Sequence, residues 1–160
     1  MISQKIVVLG GTGFVGRRLV SRLAADGHAV TLLSRNLASH PVRLLPPDVI
    51  LREVDVYDPG VLRQAFTGAD AVINLVGILN EHGDNGRGFR RAHVELTKLV
   101  IAAMQLAGVR RLLQMSALAA GRGQSHYLKS RGDAEAAVKA SGLDWTIFEP
   151  SVIFGAGDGL

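Results

Sequence analysis

Three glycines, Gly10, Gly13 and Gly16, follow directly on the apolar run Ile6-Val7-Val8-Leu9, and their spacing suits the binding of an anion. A short β-branched run reads as a buried parallel strand. Gly10 permits a tight turn at its end, and Gly13 leaves room for backbone N–H groups to approach phosphate oxygens. Gly16 lets the next helix pack closely on the strand, with the positive end of its dipole aimed at the anion. The stretch Gly10-Gly11-Thr12-Gly13-Phe14-Val15-Gly16 is therefore expected to hold the pyrophosphate of a dinucleotide. Its spacing is the G-x-x-G-x-x-G variant of the fingerprint.

The next group to look for is the one that meets the adenosine ribose, about 20 residues further on. An acidic residue there suits NAD, whereas an arginine accommodates the 2′-phosphate of NADP. The chain has Thr31-Leu32-Leu33-Ser34-Arg35-Asn36, and its nearest preceding carboxylate, Asp26, lies before the strand. Arg35 suits a phosphate or the adenine face, and Ser34 suits a hydrogen bond. The expectation is NADP, with NAD still open; the lesser alternative is that Arg35 is a solvated loop arginine. Asp55-Val56 has two readings of equal weight: a carboxylate and N–H for the adenine edge, or a cap on the turn into Asp58-Pro59. Leu75-Val76-Gly77, after Asn74, is expected to bring backbone close to the cofactor riboses.

The elements that must position these groups alternate along the chain. Strands are expected over residues 6–9, 29–33, 49–56, 71–76, 111–115 and 145–148. Between them lie a helix ending near Asp26-Gly27, a short one started by Asp58 and Pro59, and two longer ones over 89–107 and 128–140. This pattern predicts an α/β fold: a three-layer, doubly wound parallel sheet of strand order 3-2-1-4-5-6, one domain over residues 1–160. Gly-rich residues 77–88 fall at the ligand edge. The final Gly155-Ala156-Gly157-Asp158-Gly159-Leu160 reads as loop, as though a C-terminal substrate region were missing.

Composition agrees. Hydrophobic residues are 48% and aromatic ones only 5%, which calls for an aliphatic core. There is no cysteine, so disulfides and thiolate metal sites are excluded. The five histidines show no metal spacing, and no metal is expected. The formal net charge is +4, with its densest basic cluster at Arg87-Gly88-Phe89-Arg90-Arg91. No motif or aromatic platform supports nucleic-acid binding, and no run approaches the ~20 apolar residues of a membrane span. Glu81 and Asp84 are read as solvated loop carboxylates, Trp145 as packing, and Glu135 as exposed.

Several stretches together carry a family resemblance: residues 10–16, Asp70-Ala71-Val72-Ile73-Asn74-Leu75-Val76-Gly77-Ile78-Leu79, His93-Val94-Glu95-Leu96-Thr97, Met115-Ser116-Ala117-Leu118, residues 127–135 and Pro150-Ser151-Val152-Ile153-Phe154-Gly155. On these the chain resembles the extended and atypical short-chain dehydrogenase/reductases. Within them it is most similar to the NAD(P)H-binding branch that includes an accessory subunit of respiratory complex I, often labelled nucleoside-diphosphate-sugar epimerases.

The resemblance implies a catalytic tyrosine with a lysine four residues on, plus a serine or threonine after the fifth strand. Here Tyr127 is present, Arg131 stands at the lysine position, and Ser116 is the hydroxyl, followed by Ala117 and Leu118. His93 stands where relatives often have asparagine. The implied chemistry is hydride transfer or epimerisation at a secondary carbinol of an unknown small molecule, with a nucleotide-sugar as one candidate. The alternative is a protein that holds NADPH without turnover, as an accessory, assembly or redox-sensing protein of the respiratory chain. The resemblance also allows a homodimer through the helices over 89–107 and 128–140, and a cytoplasmic site or one peripheral to the inner membrane.

Overall fold

The computed structural model describes residues 2–39 and 44–157. Met1, His40-Pro41-Val42-Arg43 and the terminal Asp158-Gly159-Leu160 lie outside the described residues. Six strands form one parallel sheet: β1 (Lys5–Leu9), β2 (Ala29–Ser34), β3 (Ile50–Glu53), β4 (Ala71–Asn74), β5 (Arg111–Met115) and β6 (Asp144–Phe148). Their order is β3-β2-β1-β4-β5-β6, as the alternation predicts.

Side chains on β1 point alternately to the two faces, and each face has its own core. Val7 and Leu9 pack with Leu62, Phe66, Leu96, Val100, Met104 and Val138. Those partners come from α2 (Pro59–Phe66), α4 (Leu96–Ala107) and α5 (His126–Lys139). Ile6 and Val8 pack on the other face with Val20 of α1 (Phe14–Ala25) and with Val30, Leu32 and Ile73. Each fully buried side chain of this size contributes about 1.5–3 kcal/mol, so the aliphatic composition is enough to hold three layers.

Local signals act as read. Asp58 Oδ1 accepts from the N–H groups of Gly60 and Val61 at 2.8 and 3.1 Å, with Pro59 at the first helical position of α2. Gly108, at φ 74°, closes α4.

Two elements differ most, while β4 ends at Asn74 rather than at residue 76 and α5 starts two residues early, at His126. β3 spans only Ile50–Glu53 rather than 49–56, because as an edge strand it pairs with β2 alone. The helix expected over 89–107 is interrupted: a short α3 (Arg87–Phe89) leads into a π-helical stretch, Arg90–Glu95, before α4. The Leu96 N–H there reaches back five residues to the Arg91 carbonyl. The segment after β6 returns to α1, where Arg18 donates to the Ala156 carbonyl and Arg17 to that of Gly157 at 3.4 Å.

Candidate functional site

The C-terminal ends of β1, β2 and β4 open into one groove of about 410 Å³. Its floor is the glycine turn. Gly10 has φ +77°, and a Cβ there would lie 2.9 Å from the Leu75 carbonyl carbon and the Val76 nitrogen, so the turn rests directly on the end of β4. The Gly13 N–H closes the turn on the Gly10 carbonyl at 3.2 Å. Gly13 is also the N-cap of α1 and has no side chain to cap it, and no acidic residue stands in the first turn. The first-turn N–H groups of α1 are thus left for an anion. Gly11 and Thr12 are buried beneath the turn, while Phe14 and Val15 begin α1 half-buried.

At the β2 end, Ser34 is buried, and its Oγ accepts from the Asn36 N–H at 3.4 Å. Arg35 is exposed and lines both the groove and an adjoining recess with Glu53, Val54 and Asp55. The Arg35 guanidinium lies 6.0 Å from the Tyr57 ring centroid, and that of Arg91 lies 4.1 Å from it. Burial raises the Tyr57 phenol above its usual range, against the opposing pull of Arg35 and Arg91.

Asp55 Oδ1 accepts from the Tyr57 N–H at 2.9 Å, so the turn-capping reading describes its bonding here. Val56 is buried in the core beside it. No carboxylate stands at the β2 end itself, but the fold brings one there from β3. Parallel pairing sets Glu53 beside Ser34, and Glu53 Oε2 accepts from the Leu37 N–H at 2.8 Å. That bond ties the carboxylate to the loop backbone.

At the β4 end, buried Asn74 braces the turn. Its Oδ1 accepts from the Val76 N–H at 3.2 Å, and its Nδ2 donates to Gln114 Oε1 at 3.1 Å. Leu75, Val76 and Gly77 line the groove from there. Gly77 lies against the Arg131 guanidinium.

Ser125 caps α5 by accepting from the Leu128 N–H at 3.2 Å, which sets Tyr127 and Arg131 on one side of the helix. Tyr127 stands edge-on to Phe89 and His93, with ring centroids 5.7 and 5.4 Å away. The Arg131 guanidinium lies 5.4 Å from the Tyr127 ring centroid, against the ring. Arg131 Nη1 donates to the Met115 carbonyl at 3.2 Å.

The Ser116 hydroxyl is engaged within the fold. Its Oγ donates to Glu135 Oε1 at 2.6 Å, and both residues are buried. Glu135 is therefore not exposed. Arg131, Ala134 and Val138 mark the inward face of α5, and Glu135 sits on it with Lys139 Nζ at 3.0 Å as counter-charge.

Two organising residues were not legible as such. His93, 1% exposed, accepts from the Ile78 N–H at Nε2 (3.2 Å) and meets Ser130 Oγ at Nδ1 (2.8 Å). The Ser130 hydroxyl donates in turn to the Tyr127 carbonyl at 2.8 Å, so Nδ1 carries the ring proton. Burial, and then the charge of Arg131, push the His93 pKa down to about 3. Glu81, read as solvated, instead receives the N–H groups of Gly86, Gly88 and Phe89 at 2.6, 2.7 and 3.2 Å. Desolvation raises its carboxyl, but those three bonds prevail and hold it below the usual range. A carboxylate shortly before a Gly-rich helix start is the signal that would have marked it.

A family of NAD(P)H-binding domains matches residues 10–156, from the glycine turn to the segment that returns to α1. The chain belongs to this NAD(P)H-binding family. The NAD(P)H-binding domain is similar to the ceramide reductase of Caulobacter vibrioides, at 32% identity over 96% of this chain and 47% of that protein. It is likewise similar to NADH dehydrogenase [ubiquinone] 1 alpha subcomplex subunit 9, mitochondrial, of Arabidopsis thaliana, at 32% identity over 94% of this chain and 39% of that protein. The domain thus spans less than half the length of these two relatives. Among solved structures, Bordetella bronchiseptica WbmG in complex with NAD superposes with a TM-score of 0.79 at 24% identity, over 92% of this chain and 53% of that one, which supports the fold.

Among the described residues no cluster of His, Asp and Glu is arranged to hold a metal ion, and no helix is long and apolar enough to cross a membrane.

Proposed function

We propose that this NAD(P)H-binding domain takes NADP(H) and serves an oxidoreductase or epimerase acting at a secondary carbinol. One observation carries the cofactor reading: a single groove joins the uncapped N-terminus of α1 to Arg35. A dinucleotide needs an anion site at its centre, and NADP needs a second at the adenosine ribose. Gly10, Gly11, Thr12, Gly13, Phe14, Val15 and Gly16 hold the pyrophosphate. Ser34 and Arg35 meet the 2′-phosphate, and Val56 with Asp55 borders the adenine. Leu75, Val76 and Gly77 back the riboses.

When bound, the cofactor supplies or accepts hydride. Tyr127 holds and returns the proton at the carbinol oxygen. Arg131 supplies the permanent positive charge beside it. His93 and Ser130 hold the start of α5 against the Ile78 loop, which keeps Tyr127 in place.

A second reading is favoured by Ser116, whose hydroxyl proton goes to Glu135, and by Arg131, which lies against the Tyr127 ring. On that reading the protein holds NADPH without turnover, as an accessory or redox-sensing partner of a respiratory assembly.

Titration with NADPH and NADH tests the cofactor reading. NADPH is expected to bind at least tenfold tighter, with Arg35→Ala erasing most of the difference. Tighter NADH binding, or binding of neither, would overturn it. Tyr127→Phe separates the two readings: cofactor oxidation across carbonyl substrates is expected to fall at least a hundredfold. Unchanged oxidation removes Tyr127 from catalysis.

A further inference from the structure

Arg131 is only 5% exposed, and among the described residues it joins none of the ion pairs. The carboxylate one turn on, Glu135, is just as buried but is spent on Ser116 and Lys139. Nη1 is used by the Met115 carbonyl, whereas Nε is enclosed and has no partner. Nη2 lies against Gly77, which lines the cofactor groove, so the guanidinium ends at the groove wall beside Tyr127. His93 beside it stays neutral and adds no second positive charge.

A buried cation with no counter-ion is costly. Arginine, with its planar fork of donors, is the side chain that best repays the cost when an oxoanion arrives.

We propose that Arg131 is an anion receptor, and that the groove wall at Gly77, beside Tyr127, takes a ligand bearing an oxoanion, a carboxylate or a phosphate, beside its reacting carbon. This rests on Tyr127 marking the reaction site. It narrows the substrate class from any secondary carbinol to an acidic one. A lysine at this position would present a compact point charge, whereas the guanidinium anchors Nη1 on the Met115 carbonyl and aims the Nη2 donors at the groove wall.

Calorimetric titration of the whole protein with acetate, inorganic phosphate and neutral acetamide, with and without saturating NADPH, tests the proposal. At least one anion is expected to bind, with acetamide tenfold weaker or more. Arg131→Gln is expected to lose the anion at least tenfold, and Arg131→Lys to keep part of it. Acetate binding over phosphate assigns a carboxylate ligand, and the reverse assigns a phosphate. With NADPH saturating, so that the anion sites of the cofactor groove are filled, equal binding of acetamide, binding of neither anion, or anion binding that survives Arg131→Gln overturns the proposal. So does a tenfold loss of NADPH affinity in Arg131→Gln when neither anion binds the wild type, since the guanidinium then belongs to the cofactor. If Arg131→Gln does not fold, Arg131→Lys and the acetamide comparison decide. Anion binding by a protein that ignores NADPH would sink the cofactor reading and leave this one standing.

Discussion

Taking the protein from about pH 7.5 to about pH 5 puts a proton on His93 in the unfolded chain but not in the folded one. The unfolded ring titrates near the ordinary histidine value of 6.5, and the folded ring at about 3. The folded site resists the proton for two reasons. Nε2 already accepts from the Ile78 N–H, so a protonated nitrogen there would face a donor, and the Arg131 charge lies close by. The unfolded state therefore binds more protons across this window, and stability falls as pH falls. The contribution of neutral His93 is complete above 6.5 and is lost progressively toward 3. Each pH unit inside the window removes about 1.4 kcal/mol, so pH 5 costs about 2 kcal/mol. For a chain of this length that is a fall in Tm of about 4–8 °C. Thermal melts and urea titrations of the wild type and His93→Asn from pH 8 to pH 5 measure it. Asparagine takes no proton, so the variant starts less stable but loses less on acidification. Equal pH slopes in the two proteins would refute the reasoning.

Two further outcomes follow from the packing. Gly16→Ala puts a Cβ into the Gly10 carbonyl and within 2.5 Å of the Gly11 Cα, both backbone. A cost of about 1–3 kcal/mol is expected, with weakened NADPH binding, and an unchanged Tm together with an unchanged Kd would contradict it. Glu135→Gln removes the buried charge that Lys139 and Ser116 share, and should cost about 1–3 kcal/mol in urea titrations. Ser116→Ala in the same background should add much less than it does alone; simple additivity would show that the two side chains are not coupled.

Strand positions in the sheet interior were readable from the residues because burial on both faces leaves an unbroken apolar run. The run Ile6-Val7-Val8-Leu9, buried throughout, falls in β1 where it predicts a strand. The edge strand β3 was overestimated, since its apolar residues continue past the last ladder bond into the Asp55 turn. The glycine turn was legible for a different reason: it depends on the backbone itself, and glycine spacing reports backbone directly.

Side-chain networks were the hidden part. Glu135 looked solvated because it is charged, although Arg131, Ala134 and Val138 share its inward face. His93 was hidden by the π-helical stretch around it, which no composition or periodicity announces. The Tyr57 stack needed the fold, because Arg35 and Arg91 lie far apart in the chain and meet only across the groove.

The close seating of Gly16 on Gly10 and of Gly10 on Leu75 bears on how such a chain can change over generations. The floor of the groove is defined by atoms that are not there, so selection at those positions acts as a ceiling on volume. Neighbouring side chains are free to be exchanged as long as none grows into the gap. A lineage can then replace most of its residues and keep the same hollow. The residues around the hollow, Arg131 among them, are where descendants of one scaffold diverge in what they bind.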